Sequence, residues 1–311
     1  MTWLLVIALV VAVLATAKGA VTTIGARRWN ERMAKLSRGL EASSATLVKA
    51  PGNPITHYDV AELEGLPPPV HRYFLAVLKD GQPIVSAVTI EMTGTMNMSA
   101  TAEQWKPFTS TQRVVTAAAG ARSGFIWNAR ISMLPGIGVR VVDSYVAGKG
   151  LLQAAVLGLF TVADMEGEGE MARGELMRFF AETPWYPTAL LPSQGVRWSA
   201  VNETSARATL ADGPNALTLL FHFDAAGMID SVRADARGGM VGKEMVMRPW
   251  ECGLSDYQSH DGMLIPMAGN AAWAEAERPT KYFHGTVKTL RYEWAPALAH
   301  RERATLPSRP S

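Results

Sequence analysis

Between residues 88 and 98 the chain alternates without a break: Val88, Ile90, Met92, Gly94, Met96 and Met98 fall on one side, and Thr89, Glu91, Thr93, Thr95 and Asn97 on the other. Only an extended strand has a side-chain period of two, so this segment predicts a long strand with one face in a core and one in solvent. Gly94 in its middle marks a bend or bulge. Such a strand needs paired neighbours, and the sequence supplies them at short intervals: residues 108–117, 124–131, 137–147, 151–164, 196–201, 206–211, 216–223, 228–236, 244–259, 263–276 and 282–294. Turn chemistry separates many of these, as in Gly148-Lys149-Gly150, Asp212-Gly213-Pro214-Asn215 and Asp261-Gly262. The stretch 151–160 is almost wholly apolar and fits a buried helix equally well. Helical spacing is clear only at 70–78 and at 169–182, where Leu176, Phe179 and Phe180 share a face and Pro184 ends the segment. The pattern predicts an α+β fold: a large, curved, half-barrel-like antiparallel sheet with one or two helices on its concave side.

Ahead of the sheet, residues 3–17 form an unbroken apolar run that resumes after Lys18 as far as Ala26. At ~1.5 Å per residue that stretch would rise about 36 Å, enough for a hydrocarbon core of ~30 Å. No Lys or Arg precedes the run, whereas Lys18, Arg27, Arg28, Arg32 and Lys35 come after its first fifteen residues. That asymmetry predicts an N-terminal transmembrane helix with the body on the cytoplasmic side. The alternative is a cleaved signal segment, because Ala15-Thr16-Ala17 fits an A-x-A site, and the body would then be extracytoplasmic. The expected organisation is an anchor or signal segment at 1–26, a polar helix and linker at 27–58, one curved-sheet domain at 59–295 and a tail at 296–311.

Charge narrows the partners. Residues 18–49 carry a net +5, which leaves −3 on the remainder of a chain whose formal total is +2. A basic collar on a mildly acidic body suits an anionic leaflet and not a nucleic acid, which would require a basic face on the body itself. Cys252 is the only cysteine, so no intrachain disulfide forms. Gly167-Glu168-Gly169-Glu170-Met171-Ala172 matches a loose dinucleotide pattern, but Asp164, Glu166, Glu168 and Glu170 crowd it with negative charge where a pyrophosphate would sit. Nucleophile-elbow, zincin, C-x-x-C and EF-hand motifs are absent, and the six histidines never fall at ligand spacing. No cofactor, metal or catalytic residue is expected.

Two features suggest a ligand pocket. The helix at 169–182 interleaves charge with its apolar face, and Arg178 and Glu182 stand at i,i+4. An aromatic, proline-rich corner comes directly after it, Pro184-Trp185-Tyr186-Pro187. Such a corner either walls a pocket or plugs the open end of a curved sheet. The 15 methionines include Met92, Met96 and Met98 on one strand face, and flexible thioethers suit either core filling or irregular apolar partners. The candidate pocket set is therefore Met92, Met96, Met98, Arg178, Phe179, Glu182, Trp185 and Tyr186.

Taken together, Leu66-Pro67, Arg72-Tyr73-Phe74, Trp105-Lys106-Pro107-Phe108, residues 124–129 (GFIWNA), Asp143-Ser144-Tyr145, Gly148-Lys149-Gly150, residues 182–192 (ETPWYPTALLP) and Trp198 resemble an uncharacterised bacterial family of membrane-anchored proteins, a domain of unknown function. The likeness covers roughly residues 66–294 and implies no chemistry. Residues 256–266 (DYQSHDGMLIP) are also similar to the late strands of lipoprotein-carrier half-barrels, with their D-Y, D-G and I-P pattern. That resemblance implies an open barrel closed on one side by helices around an apolar hollow. It departs on topology, since those carriers work outside the cytoplasm.

The functional expectation is a membrane-tethered binding protein that holds a lipid or acyl chain in an apolar hollow. The alternatives are a structural or interaction protein at the membrane with an unknown protein partner, and an enzyme acting on a membrane-derived substrate. In the enzyme reading Arg178, Glu182, Trp185 and Tyr186 form the site, with Glu182 as acid or base if burial raises its pKa.

Overall fold

The structure, a computed structural model, describes residues 2–45, 55–99, 101–118, 122–242, 244–274 and 279–295. The expected tail at 296–311 and most of the expected linker fall outside these residues. A single antiparallel sheet of thirteen strands makes up the body. Its strands are β1 (Val85–Asn97), β2 (Trp105–Val115), β3 (Gly124–Leu134), β4 (Ile137–Val146), β5 (Lys149–Val156), β6 (Phe160–Gly167), β7 (Arg197–Asn202), β8 (Ser205–Asp212), β9 (Asn215–Phe223), β10 (Ile229–Val241), β11 (Glu244–His260), β12 (Met263–Trp273) and β13 (Thr280–Trp294). Their spatial order is β6-β5-β4-β3-β2-β1-β13-β12-β11-β10-β9-β8-β7. Two meanders, β1–β6 and β7–β13, are thus zipped together by the pairing of the first strand with the last. The α+β curved sheet expected from the sequence is what forms.

The alternation in β1 sets the inner face. Val88, Ile90 and Met92 are buried in the main core, while Thr89, Glu91 and Thr93 point the other way. Glycine lets the sheet bend across its centre: Gly94 pairs with Gly285, which pairs in turn with Gly269. A Cβ at Gly285 would stand 2.9 Å from the Phe283 ring and 3.0 Å from the Met92 methyl, so the inner face closes over a position with no side chain. Helix α2 (Pro68–Val77) buries Val70, Tyr73, Phe74 and Val77 in the main core.

Helix α3 (Glu170–Ala181) makes the crossover between the meanders. It touches β3, β4, β5 and β6 on one arm and β9 and β10 on the other, so the sheet wraps round it. Its N-terminal turn presses on β5: a Cβ at Gly150 would meet the Met171 carbonyl oxygen at 2.5 Å and the Ala172 nitrogen at 2.8 Å. Because α3 must lift off β5 to admit a methyl group, Gly150→Ala is expected to cost about 1–3 kcal/mol by urea denaturation. Gly167→Ala, where a Cβ meets nothing within 4 Å, should change stability little. Equal effects would show that α3 is not seated as described.

Three expectations are corrected. Residues 151–164 are neither one strand nor a buried helix but the hairpin β5–β6. Its turn places Leu157 at φ 55° and Gly158 at φ 72°, and an aliphatic residue in the left-handed region carries no turn signal in sequence. The apolar segment and the polar helix behind it are not separate elements: α1 is one helix, Thr2–Ala45. Its second half lies on the convex face of the sheet, where Trp29 and Leu40, with Met33 and Leu36, pack on Ala87, Val115, Ile126, Val142 and Ala155. Trp29 is fully buried and donates from Nε1 to Asn128 Oδ1 at 2.9 Å.

The third correction concerns the expected span. Among the described residues no helix is long and apolar enough to cross a membrane. The physical reason lies in the residues beyond Ala17. A Cβ on Gly136, in the β3–β4 turn, would come within 2.5 Å of Lys18 Nζ, and a Cβ on Gly25 would strike the Leu157 carbonyl oxygen. From Lys18 onward one side of the helix therefore meets the β3–β4 and β5–β6 turns, while Ile24 on another side stays exposed. The apolar run that remains, residues 3–17, rises about 22 Å, short of a ~30 Å hydrocarbon core.

Candidate functional site

The inner face of the sheet is covered by α3 and the aromatic corner at its C-terminal end. Phe179, Phe180, Trp185, Tyr186, Leu190 and Leu191 are all buried. Backbone acceptors fix the corner: Tyr186 Oη donates to the Phe179 carbonyl at 2.8 Å, Tyr292 Oη to the Trp185 carbonyl at 2.6 Å and Thr183 Oγ1 to the Phe180 carbonyl at 2.6 Å. The Val85 amide closes the set by donating to Thr188 Oγ1 at 3.0 Å. These bonds tie the corner to α3, β1 and β13 at once.

A charged network lies beneath this plug. Arg178, one turn before the end of α3, donates from Nη1 to Asp143 Oδ2 at 2.5 Å, from Nε to Glu182 Oε1 at 2.9 Å and from Nη2 to Gln112 Oε1 at 3.3 Å. Gln112 in turn donates to Glu182 Oε2 at 2.5 Å. The guanidinium lies over Trp127 at 4.8 Å and Phe125 at 5.2 Å, so its faces meet rings and its edge meets oxygens. Burial works against its charge, but Glu182, Asp143 and Glu175 more than offset this and hold its proton more tightly than usual. One turn earlier on α3, Glu175 faces Arg237 at 3.6 Å, and Arg237 lies over Trp250 at 4.5 Å.

Glu175 also departs from ordinary carboxylate behaviour. Burial pushes its carboxyl well above the usual carboxylate range and the neighbouring Asp143 pushes it further, while Arg237 and Arg178 pull back. Asp143 Oδ1 and Glu175 Oε2 are both buried and have no hydrogen-bond partner among the described residues. A proton kept on Glu175, the form its raised pKa favours, would give both oxygens a partner. With Glu175 protonated, the formal charges of Arg178 and Arg237 balance those of Asp143 and Glu182. Chemically this arrangement is a closed, charge-balanced lock. Burial, and after it Glu182, push the pKa of the half-buried Cys252 thiol up, which favours the thiol over the thiolate.

The residues expected to line a pocket separate into three groups. Phe179, Trp185 and Tyr186 are core, and Met92 packs on the inner face at 3 % exposure. Arg178 and Glu182 meet in the network. Met96 is partly buried against the same core, and Met98 stands out at the sheet rim. The structure thus brings Arg178 and Glu182 together as the i,i+4 spacing suggested and leaves Met98 apart. Sequence reasoning placed Glu175 in the polar cluster of the helix with Arg178 and Glu182 but missed Gln112, Asp143 and Arg237, which reach the network from β2, β4 and β10. Asp143 left one trace, as the only carboxylate in the strand β4.

An opening of about 810 Å³ lies at the rim, between the β1–β2 and β12–β13 hairpins, with Trp105 and His284 in contact on its wall and Thr95, Asn97, Thr280 and Lys281 around them. No group of three or more His, Cys, Asp or Glu among the described residues is arranged to hold a metal ion.

Among solved structures, a beta-barrel-like protein of domain of unknown function DUF1849 from Brucella abortus is similar over 70% of this chain and 100% of that one, at 11% identity and a TM-score of 0.25. A porin-like protein from Bacteroides uniformis is similar over 68% and 96%, at 8% identity and a TM-score of 0.22. No curated protein matches. Residues 64–292, from just ahead of α2 to near the end of β13, match the model of the family of unknown function DUF6920, and the chain belongs to that family.

Proposed function

We propose that the chain is a membrane-tethered binding protein whose body is held in a fixed pose by α1, with the apolar part of that helix embedded in the bilayer. The observation that carries this reading is the contrast between the two halves of one helix. Trp3, Leu4, Leu5, Val6, Ile7, Leu9, Val10 and Val13 are exposed and touch nothing that buries them, whereas Trp29 and Leu40 are buried on the sheet. A helix apolar all round is stable only in an apolar surrounding, and the basic residues behind it suit the anionic headgroups of the leaflet it enters. The filled hollow favours recognition at the surface over an acyl chain held in the centre. A lipid or protein partner would meet the rim opening or the edge strands β6 and β7, which leave backbone groups unpaired on their outer sides.

The test is partition of the full chain between membrane and soluble fractions after an alkaline wash. The parent chain should stay in the membrane. A Val6→Asp, Leu9→Asp variant should move to the soluble fraction with its body folded, since each aspartate costs ~2.5–3.5 kcal/mol at the centre of an embedded helix. A parent chain that is soluble and monodisperse would overturn the tether.

A further inference from the structure

We propose that the β3–β4 and β5–β6 hairpin tips form a second membrane-contact surface, in which exposed apolar side chains enter the lipid interface while Arg130 and Arg140 bind anionic phospholipid headgroups; this rests on the tether proposed above. The place comes from α1. Lys18 lies over the β3–β4 turn, and Gly25 lies against the β5–β6 turn, where a Cβ on Gly158 would meet the Gly25 carbonyl oxygen at 2.9 Å. A bond from the Leu157 amide to the Gly138 carbonyl at 2.8 Å ties the two tips to each other. Both tips therefore stand where the helix leaves the protein for its apolar run.

The side chains exposed at the tips fit an interface. Leu134 is 63% exposed, Phe160 57% and Val162 63%, and Ile137 is also exposed. Hydrophobic residues at loop tips usually waste apolar area in water, but beside a lipid-embedded helix they gain it back. The short run of α1 gives a reason to seat them: an apolar segment of ~22 Å reaches the hydrocarbon only if the body sits close to the headgroups.

The charges supply the second half. Arg130 and Arg140 are directly opposite each other on β3 and β4, and like charges so placed repel. Neither has a carboxylate partner in an ion pair among the described residues, and burial together with Arg130 pulls Arg140 below its ordinary value. With Lys288 they line a convex-face groove of about 370 Å³ that also holds the hydroxyls of Thr109 and Thr111. Its one carboxylate, Glu91, is taken up by Thr289 at 2.9 Å and Arg291 at 3.8 Å. An anion between the two guanidiniums would relieve the repulsion that the fold leaves in place.

The experiment uses the full chain in phosphatidylcholine vesicles with or without phosphatidylglycerol, carrying a fluorophore at Phe160→Cys or, as control, at Leu75→Cys on α2. Flotation reports the tether, and acrylamide quenching reports the tip. The expected result is that the protein floats, that the Phe160 probe is shielded and the Leu75 probe is not, and that shielding deepens with phosphatidylglycerol. Arg130→Gln with Arg140→Gln should reduce the seated fraction by about fivefold per arginine on anionic vesicles without lowering the melting temperature. Flotation with a Phe160 probe as exposed as the control overturns the tip surface and leaves the tether standing. Shielding indifferent to phosphatidylglycerol and to both arginines overturns the headgroup site. Failure to float overturns the tether, and the tip surface with it.

Discussion

Arg178→Leu is expected to lower the stability of the body by about 3–5 kcal/mol, seen as a large fall in the urea midpoint. The magnitude comes from the groups left behind. Asp143 Oδ2, Glu182 Oε1 and Gln112 Oε1 each lose a donor in a place where water does not replace it, and the rings of Phe125 and Trp127 lose the cation between them. An unpaired buried charge costs far more than the ion pair contributed. Arg178→Lys should rescue little, because a single ammonium cannot span three acceptors in the plane of the guanidinium fork. Neutralising the partners should rescue much more: Arg178→Leu combined with Asp143→Asn and Glu182→Gln is expected to recover most of the loss. A loss under about 1 kcal/mol for Arg178→Leu alone would mean that the network is open to solvent.

The second large effect is in pH. Glu175 keeps its proton in the folded protein at pH values where the unfolded chain has lost it, because burial and then Asp143 raise its pKa. Between the ordinary carboxylate value and that raised value the native state binds the extra proton. This contribution to stability is whole below the unfolded pKa and falls as pH rises, by at most ~1.4 kcal/mol per pH unit. Glu175→Gln should abolish that slope, since an amide N–H donates to Asp143 Oδ1 without having to hold a titratable proton. The variant should match the parent near about pH 5 and exceed it near about pH 8, both read from urea midpoints. Parallel pH profiles would show that no proton is shared between the two carboxyls.

Much of the fold is written locally. The eleven-residue alternation in β1, the helix ended by Pro184 and the Asp261-Gly262 turn are short-range signals, and each element forms where its signal lies. The β5–β6 hairpin escaped because Leu157 occupies a left-handed conformation that leucine does not advertise. The docking of α1 left a readable trace: Trp29, Met33, Leu36 and Leu40 recur at helical spacing and form one stripe. Arg27, Arg28, Arg32 and Lys35 around them gave that segment the look of a solvated stalk. Half of the charged network was equally local, since Arg178 and Glu182 are one turn apart. The other half required the sheet to curl, because Gln112 and Asp143 lie 66 and 35 residues from Arg178 and meet it only once β2 and β4 close over α3.

The tether proposed for this chain is part of the fold, a helix whose far half is packed on the sheet and so fixes how the body meets the bilayer. Amide hydrogen exchange across residues 26–45 of the full chain in lipid nanodiscs tests this directly. These amides are predicted to exchange as slowly as those of β3 and β4. Trp29→Ala, which empties a fully buried site and gives up the bond to Asn128, is predicted to speed their exchange selectively. Exchange in this segment as fast as in a free helix, unchanged by Trp29→Ala, would contradict the tether: α1 would be a loose stalk and the pose of the body undefined.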